Sequence, residues 1–345
     1  MKRKILVTGG TGYIGSHTSV ELLNEGFDVV IIDNLYNSEA EVVERIEMIT
    51  GTRPELHVFD LCDRKMLESF FRNSSEIAAI IHFAAYKAVS ESVKKPLEYY
   101  YNNLVSLINL LEMMKIFNIS GMVFSSSCTV YGQPEKLPVT EEAPLQPAAS
   151  PYGNTKQIGE EIIRDATCIE KNLKAIALRY FNPIGAHPSG LIGELPRGVP
   201  ENLVPFITQT AYGIRDELKV FGTDYDTPDG SCIRDYLHVV DLAKAHVIAV
   251  QRLLEGRNRK YFEVFNLGTG KGVSVLEAIK SFERVSGMKL KYRITERRSG
   301  DIEKIWADPS FANRELGWKT VSTLDEAMKT AWEWEKNIRS KEGKQ

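Results

Sequence analysis

The sequence predicts an α/β protein: a doubly wound parallel sheet with a smaller, mixed α/β C-terminal part that covers a ligand. Three observations predict it. Short apolar runs recur through the first half of the chain, separated by segments of helical length; the first run opens into a glycine-rich turn; and two later runs end in polar residues, at Asp33 and at Ser125-Ser126-Ser127. Strand and helix in alternation imply parallel strands covered by helices on both faces. Ligands of such sheets bind at strand C-termini.

The 345 residues suffice for about two domains. Lys and Arg number 43 against 46 Asp and Glu, a net charge of −3, which offers no electrostatic footprint for nucleic acid or an anionic membrane. Lys2-Arg3-Lys4 precedes only Ile5-Leu6-Val7 before Thr8-Gly9-Gly10, too short for a signal peptide, and no stretch approaches the ~20 apolar residues of a membrane span. Cys62, Cys128, Cys168 and Cys232 are scattered, without C-x-x-C spacing or a matching His pair. Free thiols, no metal site and a cytoplasmic location are the expectation.

In chain order, Lys4 to Val7 leads into Gly9-Gly10-Thr11-Gly12-Tyr13-Ile14-Gly15, and Ile14, Thr18 and Leu22 then recur at helical spacing with Gly26 as a C-cap. Val29 to Ile32 is a second strand, ending in Asp33. Strand, glycine turn, helix, strand and acid make a dinucleotide-binding βαβ unit, in which glycines admit the pyrophosphate to the helix N-terminus. Asp33, placed to accept from a ribose and to repel a 2′-phosphate, favours NAD over NADP. Further strands are expected at Leu56–Asp60, Ala78–Phe83, Gly121–Ser125 and Lys174–Leu178. Between them, Leu104, Leu107, Ile108 and Leu111, and Ile158, Ile162, Ile163 and Ala166, are spaced to face the sheet. Asp60 and Phe83-Ala84-Ala85 fall at strand ends on the cofactor side. From Gly185 to Gly230 the chain turns rich in Gly and Pro, with one short helix at Leu203–Tyr212. A strand at Val264–Gly268 returns to the sheet, a helix follows at Val275–Val285, and Ser340–Gln345 reads as a frayed tail. The expected division is 1–183 for cofactor binding and 184–345 mainly for substrate, with about 235–285 returning to the first domain.

One pairing carries chemistry. Of the 14 tyrosines only Tyr152 has Lys at the fourth position onward, Lys156, and it follows the strand that ends in Ser127. Residues four apart share a helix face, so Ser127, Tyr152 and Lys156 form a candidate proton-handling trio.

The motifs Gly-Gly-Thr-Gly-Tyr-Ile-Gly at 9–15, Ser-Ser-Ser-x-Thr-Val-Tyr-Gly at 125–132, Pro-Tyr-Gly-x-x-Lys at 151–156, Arg-Tyr-Phe-Asn-Pro at 179–183 and Arg-Asp-Tyr-x-His-Val at 234–239 resemble the extended short-chain dehydrogenase/reductase superfamily. The likeness spans roughly 4–335 and is strongest to its UDP-galactose 4-epimerase family. It implies a Rossmann-type fold, a tightly held NAD, and interconversion of UDP-glucose and UDP-galactose by transient oxidation at the sugar 4-carbon, with a 4-keto sugar that rotates. Tyr152 would be the general base, Lys156 its electrostatic support and a hold on the nicotinamide ribose. Ser127, with Thr129, would hydrogen-bond the reacting oxygen. The resemblance implies NAD contacts from Gly9, Gly12, Tyr13, Ile14, Gly15, Asp33, Asn34, Asn37, Ser38, Asp60, Leu61, Phe83, Ala84, Ala85, Lys87, Asn102 and Phe181, besides Ser127, Tyr152 and Lys156. It implies UDP-sugar contacts from Lys87, Ser127, Thr129, Tyr152, Asn182, Asn202, Leu203, Arg234, Arg298 and Asp301. Arginine suits diphosphate oxygens through paired hydrogen bonds.

Against these stand plainer roles: Asn182 and Asn202 as loop caps, Arg234 as an ion-pair partner of Asp235, and His238 as a core histidine. Cys128 departs from the small residue common in relatives and reads as an inert thiol. Ile305 stands where side-chain bulk in this family governs acceptance of N-acetylhexosamines, and isoleucine leaves that open. A 4,6-dehydratase would carry acid directly after the catalytic hydroxyl, whereas Ser127 is followed by Cys128, Thr129 and Val130. A non-enzymatic NAD sensor would be expected to lack Tyr152 or Lys156. Ser92–Met114 and Tyr152–Ile169 resemble the helices that pair in family homodimers.

Overall fold

The computed structural model describes residues 2–74, 76–297 and 302–342. The first strand, β1 (Lys4–Thr8), is buried along nearly its whole length, as a parallel strand covered on both faces requires. The chain continues through α1 (Tyr13–Asn24), β2 (Asp28–Asp33), α2 (Val42–Thr50), β3 (Glu55–Val58), α3 (Arg64–Asn73) and β4 (Ile77–His82). Next come α4 (Val89–Lys94), α5 (Pro96–Tyr100), a π-helical turn (Tyr101–Val105), α6 (Ser106–Ile116), β5 (Gly121–Ser125), a 3-10 turn (Cys128–Tyr131), α7 (Pro151–Ile169) and β6 (Lys174–Tyr180). The remainder holds β7 (Asn182–Ile184), α8 (Leu203–Tyr212), β8 (Leu218–Phe221), β9 (Ile233–Arg234), β10 (Tyr236–His238), α9 (Val239–Leu254) and β11 (Phe262–Leu267). It closes with β12 (Val273–Ser274), α10 (Val275–Ser286), β13 (Tyr292–Thr295), α11 (Ser310–Glu315) and α12 (Leu324–Glu342).

The large sheet is parallel throughout, in the order β3-β2-β1-β4-β5-β6-β11. Strand order reverses between β1 and β4, which opens a crevice at their C-terminal ends. One core cluster packs α1 and α9 against the sheet through Val20, Leu22, Leu242 and Val250; a second covers the other face through Leu67, Phe70, Leu107, Leu110 and Ile163. A third, around Ile207, Val220, Phe282 and Met328, joins α8, β8, α10 and α12. Among the described residues no helix is long and apolar enough to cross a membrane.

Several expected boundaries move. β3 stops at Val58 because Asp60 turns the chain, its Oδ1 accepting from Cys62 N at 2.8 Å. β4 spans Ile77–His82 rather than Ala78–Phe83, β6 runs on to Tyr180, and β11 begins two residues before Val264. The C-cap of α1 is Glu25, with Gly26 next at φ +82°. Ser92–Met114 is not one helix: the chain breaks at Lys95, and Pro96, which lacks an N–H, starts a new one. Within that segment Leu107 and Leu111 are core, but Ile108, expected to face the sheet, is exposed. Ser340, expected to fray, lies inside α12, its hydroxyl donating to Asn337 O at 2.9 Å.

Three of the four buried histidines, His17, His82 and His246, are held far below their ordinary range. Burial holds His17 and His82 at about 3 and His246 at about 4, against 6.5 unperturbed. The unfolded chain therefore binds more protons, so their contribution is full above pH 6.5 and declines as pH falls toward those values. Acidification from pH 6.5 to 5 is expected to cost about 2 kcal/mol per histidine. Urea midpoints across that window check this; a flat profile refutes it.

Candidate active site

The glycine turn shows why these residues are needed. Gly9 lies at φ +70°, and a Cβ there would stand 2.8 Å from Ala84 N, so β1 and β4 meet backbone to backbone at the crevice. A Cβ on Gly15 would fall 2.2 Å from Gly9 O. Before Gly12, among the described residues, Gly9 O at 3.2 Å is the one atom within 4 Å of the Cβ position, which leaves that space open. α1 begins there with neither a side-chain cap nor an acid in its first turn, and the N–H groups of Tyr13, Ile14 and Gly15 lack intrahelical acceptors. An uncapped, uncrowded helix N-terminus suits an anion such as a diphosphate.

Asp33 closes the end of β2. Its Oδ2 accepts from Thr11 N at 3.2 Å, and Oδ1 accepts from Leu35 N at 2.9 Å and the Ser38 hydroxyl at 3.1 Å. Asn34 donates to Asp60 at 3.1 Å, Asn37 is exposed on the same loop, and Leu61 is core. Phe83, Ala84 and Ala85 follow β4 and are half-buried; Asn102 sits in the π-helical turn, donating to Asn103 Oδ1 at 2.9 Å. Lys87 reaches over the Tyr13 ring to pair with Glu194 at 2.9 Å, and Asn202 donates to the same Glu194 oxygen at 2.6 Å. This meeting of the two halves of the chain has no local signal, and sequence reasoning missed Glu194.

The trio does converge. Ser150 caps α7 by accepting from Gly153 N at 3.2 Å, and Pro151 fills the first turn, fixing Tyr152 at the helix start. Lys156 is buried one turn on. Its Nζ donates to Ser125 O at 2.7 Å and lies 5.9 Å from the centre of the Tyr152 ring. Ser127 caps the 3-10 turn, its Oγ accepting from Thr129 N at 3.2 Å. Burial lowers Lys156 to about 8. Burial, then the neighbouring Tyr180, raises Tyr152, while a hydrogen bond from Ser127 favours its anion. Tyr180, hydrogen-bonded to the Ser125 hydroxyl, was also missed as a neighbour; its place at the end of β6 was the available signal. Among the described residues the buried Thr129 hydroxyl has no hydrogen-bond partner, as a polar atom awaiting a ligand would have none.

On the other wall, Phe181 and Ile305 pack with Val130, Tyr131 and Val139. Asn182 heads β7, with its side chain in none of the hydrogen bonds among the described residues. Asn202 takes the N-cap position of α8 without capping it, and Leu203 follows, half-buried. Arg234 does not pair with Asp235, whose carboxylate accepts instead from Thr269, Gly270 and Ala307. Among the described residues its guanidinium bonds Ile233 O, at 2.9 Å, and its charge acts on Cys128. Burial pushes the Cys128 thiol up to about 12, an unreactive thiol. His238 is structural: Nδ1 accepts from Val240 N at 3.1 Å and Nε2 meets Thr330 at 3.2 Å. Arg298 and Asp301 lie outside the described residues.

Comparison with known proteins settles the family. A profile for GDP-mannose 4,6-dehydratases matches residues 6–331. The UDP-glucose 4-epimerase of Bacillus subtilis is 51% identical over 331 residues, covering 96% of both chains, and that of Yersinia enterocolitica is 50% identical over 332 residues, covering 96% of this chain and 97% of its own. This chain belongs to the UDP-glucose 4-epimerase family. Solved structures agree. The Stenotrophomonas maltophila epimerase with bound NAD and formylated UDP-arabinopyranose superposes with TM-score 0.95 at 47% identity, covering 98% of this chain and 99% of that one. The Bifidobacterium longum epimerase in complex with NAD+ and UDP gives 0.93 at 46% identity, covering 97% and 99%. The epimerase family is thus a closer description than the dehydratase profile alone, and the 3-10 turn after Ser127, Cys128–Tyr131, carries no carboxylate.

Proposed function

We infer that this chain is an NAD-dependent cytoplasmic enzyme that interconverts UDP-galactose and UDP-glucose. The observation that carries the reading is the convergence of Ser127, Tyr152 and Lys156 at the same C-terminal edge of the sheet as the open glycine turn, in a chain half-identical to UDP-glucose 4-epimerases over nearly its full length. The turn from Gly9 to Gly15, Asp33 with Asn34, Asn37 and Ser38, and Asp60, Leu61, Phe83, Ala84, Ala85, Lys87, Asn102 and Phe181 hold the cofactor. NAD, when bound, supplies a hydride acceptor for the sugar 4-carbon and a positive ring charge.

Tyr152 takes the proton of the sugar 4-hydroxyl. Burial works against the phenolate, so it needs positive charge nearby. An ammonium at about 6 Å, the distance of Lys156 Nζ from the centre of the Tyr152 ring, supplies about 3 kcal/mol at an effective dielectric of about 20, or about two pKa units. Ser127 donates to the phenolate or to the sugar oxygen, and the unpartnered Thr129 hydroxyl meets a sugar hydroxyl. Arg234, Asn182, Asn202 and Leu203 line the UDP-sugar channel, with Arg298 and Asp301 assigned there from sequence alone. Residues 1–183 then hold the cofactor and 184–345 mainly the substrate, with α9 and β11 packed back on the large sheet.

Purified protein incubated with UDP-galactose is expected to form UDP-glucose without net change in NAD redox state. A 4-keto-6-deoxy product would instead indicate dehydration, and bound NAD without conversion a sensor. UDP-N-acetylgalactosamine in the same assay measures the room left by Ile305.

Homodimerisation is the second part of the reading. Val93, Leu97, Tyr101 and Ile108 are exposed along α4, α5, the π-helical turn and α6, beside α7. Such an unpaired apolar row suits a second copy about a two-fold axis. Light scattering is expected to give twice the chain mass, and a monomer refutes the assignment.

A further inference from the structure

Behind the trio runs a buried polar chain that the proposed chemistry leaves unused. Glu160 lies one turn beyond Lys156 and two beyond Tyr152 on α7, fully buried. Its Oε1 accepts from the Ser126 hydroxyl at 2.5 Å and from Arg179 Nε at 2.9 Å, and its Oε2 accepts from Arg179 Nη2 at 2.5 Å. Arg179 also donates to the Tyr131 hydroxyl at 2.9 Å, and Tyr131 donates to Asn266 Oδ1 at 2.6 Å. A buried ion pair is weak evidence of stability, since similarly sized apolar side chains often serve as well. Its placement is more telling. Ser126 stands between Ser125, whose carbonyl receives the Lys156 ammonium, and Ser127 of the trio.

We propose that Glu160 is a positioning residue for the epimerisation: through Ser126 and Arg179 it fixes the end of β5 that holds Lys156 and Ser127, and its charge keeps the buried Lys156 an ammonium. The inference rests on Tyr152 being the proton acceptor. Glu160 is the charge that opposes the effect of burial on Lys156. The other ionisable groups packed around this corner are His82 from β4, Cys128 and Tyr131 from the 3-10 turn after β5, Arg179 and Tyr180 from β6, and Tyr152 on α7. His82 is held at about 3, and Cys128, Tyr131 and Tyr180 are pushed up to about 12, so all four are neutral near pH 7. Arg179 is bound through two nitrogens to Glu160 itself. Without the carboxylate, Lys156 loses its proton at lower pH, and the Tyr152 phenolate loses its support.

Glu160→Gln tests this with nearly unchanged shape. The alkaline limb of kcat against pH is expected to move down by about one unit or more, and kcat at pH 8 to fall about tenfold or more. KM for UDP-galactose should stay within about threefold, with NAD retained. Because Arg179 is then unpaired, Glu160→Gln with Arg179→Gln, which removes both charges, is measured beside it and should move the limb the same way. Apart from turnover, the tyrosinate difference spectrum of the NAD-loaded enzyme, referenced to Tyr152→Phe, should show Tyr152 ionising at higher pH in both variants. Unmoved limbs and an unmoved tyrosinate titration overturn the proposal. A uniform loss of kcat with unmoved limbs, or failure of both variants to fold, assigns Glu160 to folding alone and overturns it equally. Wild-type turnover by Tyr152→Phe would instead sink the reading on which the inference rests.

Discussion

Tyr152→Phe is expected to lower kcat by about 10²–10⁴-fold while the purified protein keeps its NAD. The magnitude is that of a positioned general base, about 3–5 kcal/mol of transition-state stabilisation. Phe fills the same volume, so α7 and its Ser150 cap stay intact. NAD retention follows from where the cradle sits: Gly12 caps the N-terminus of α1 in the turn after β1 and Asp33 ends β2, both on elements other than the α7 that carries the substituted hydroxyl. Turnover measured with UDP-galactose, together with the cofactor released on denaturation, tests both halves. Turnover close to wild type would remove Tyr152 from the chemistry.

Gly15→Ala is expected to abolish copurification of NAD and to lower stability. The new Cβ would stand 2.2 Å from Gly9 O and 2.8 Å from Gly10 Cα, both in backbone that cannot swing aside as a side chain does. Overpacking of this kind costs about 1–3 kcal/mol. Relief requires opening the turn, which displaces the N–H groups proposed to receive the diphosphate. Gly26→Ala is the control: nothing lies within 4 Å of its Cβ position, and its φ of +82° alone makes the change unfavourable. That variant should lose a little stability and keep NAD. Equal cofactor loss from both substitutions would show that crowding at Gly15 is not the cause.

The parts of this protein legible in its sequence are those whose physics is local. The run Lys4–Val7, the turn Gly9–Gly15 and the acid Asp33 declare a βαβ unit through period, backbone freedom and spacing, and the structure forms β1, α1 and β2 there. Leu203–Tyr212 is helical over the whole range its pattern marked, and Tyr152 and Lys156 share a face because four residues nearly complete a turn. Strand ends were read less well, since β3 ends where the Asp60 carboxylate turns the backbone and β6 extends only because β11 lies beside it. Other features no local pattern encodes. Glu194 meets Lys87 across 107 positions, Asp235 turns to Thr269 and Ala307 rather than to the adjacent Arg234, and Glu160 reaches both Ser126, just past β5, and Arg179 on β6. Each depends on which sheet edge meets which helix face. Propensity and periodicity settle what a segment becomes, whereas the partner of a buried charge is settled only when distant segments close around it and exclude water.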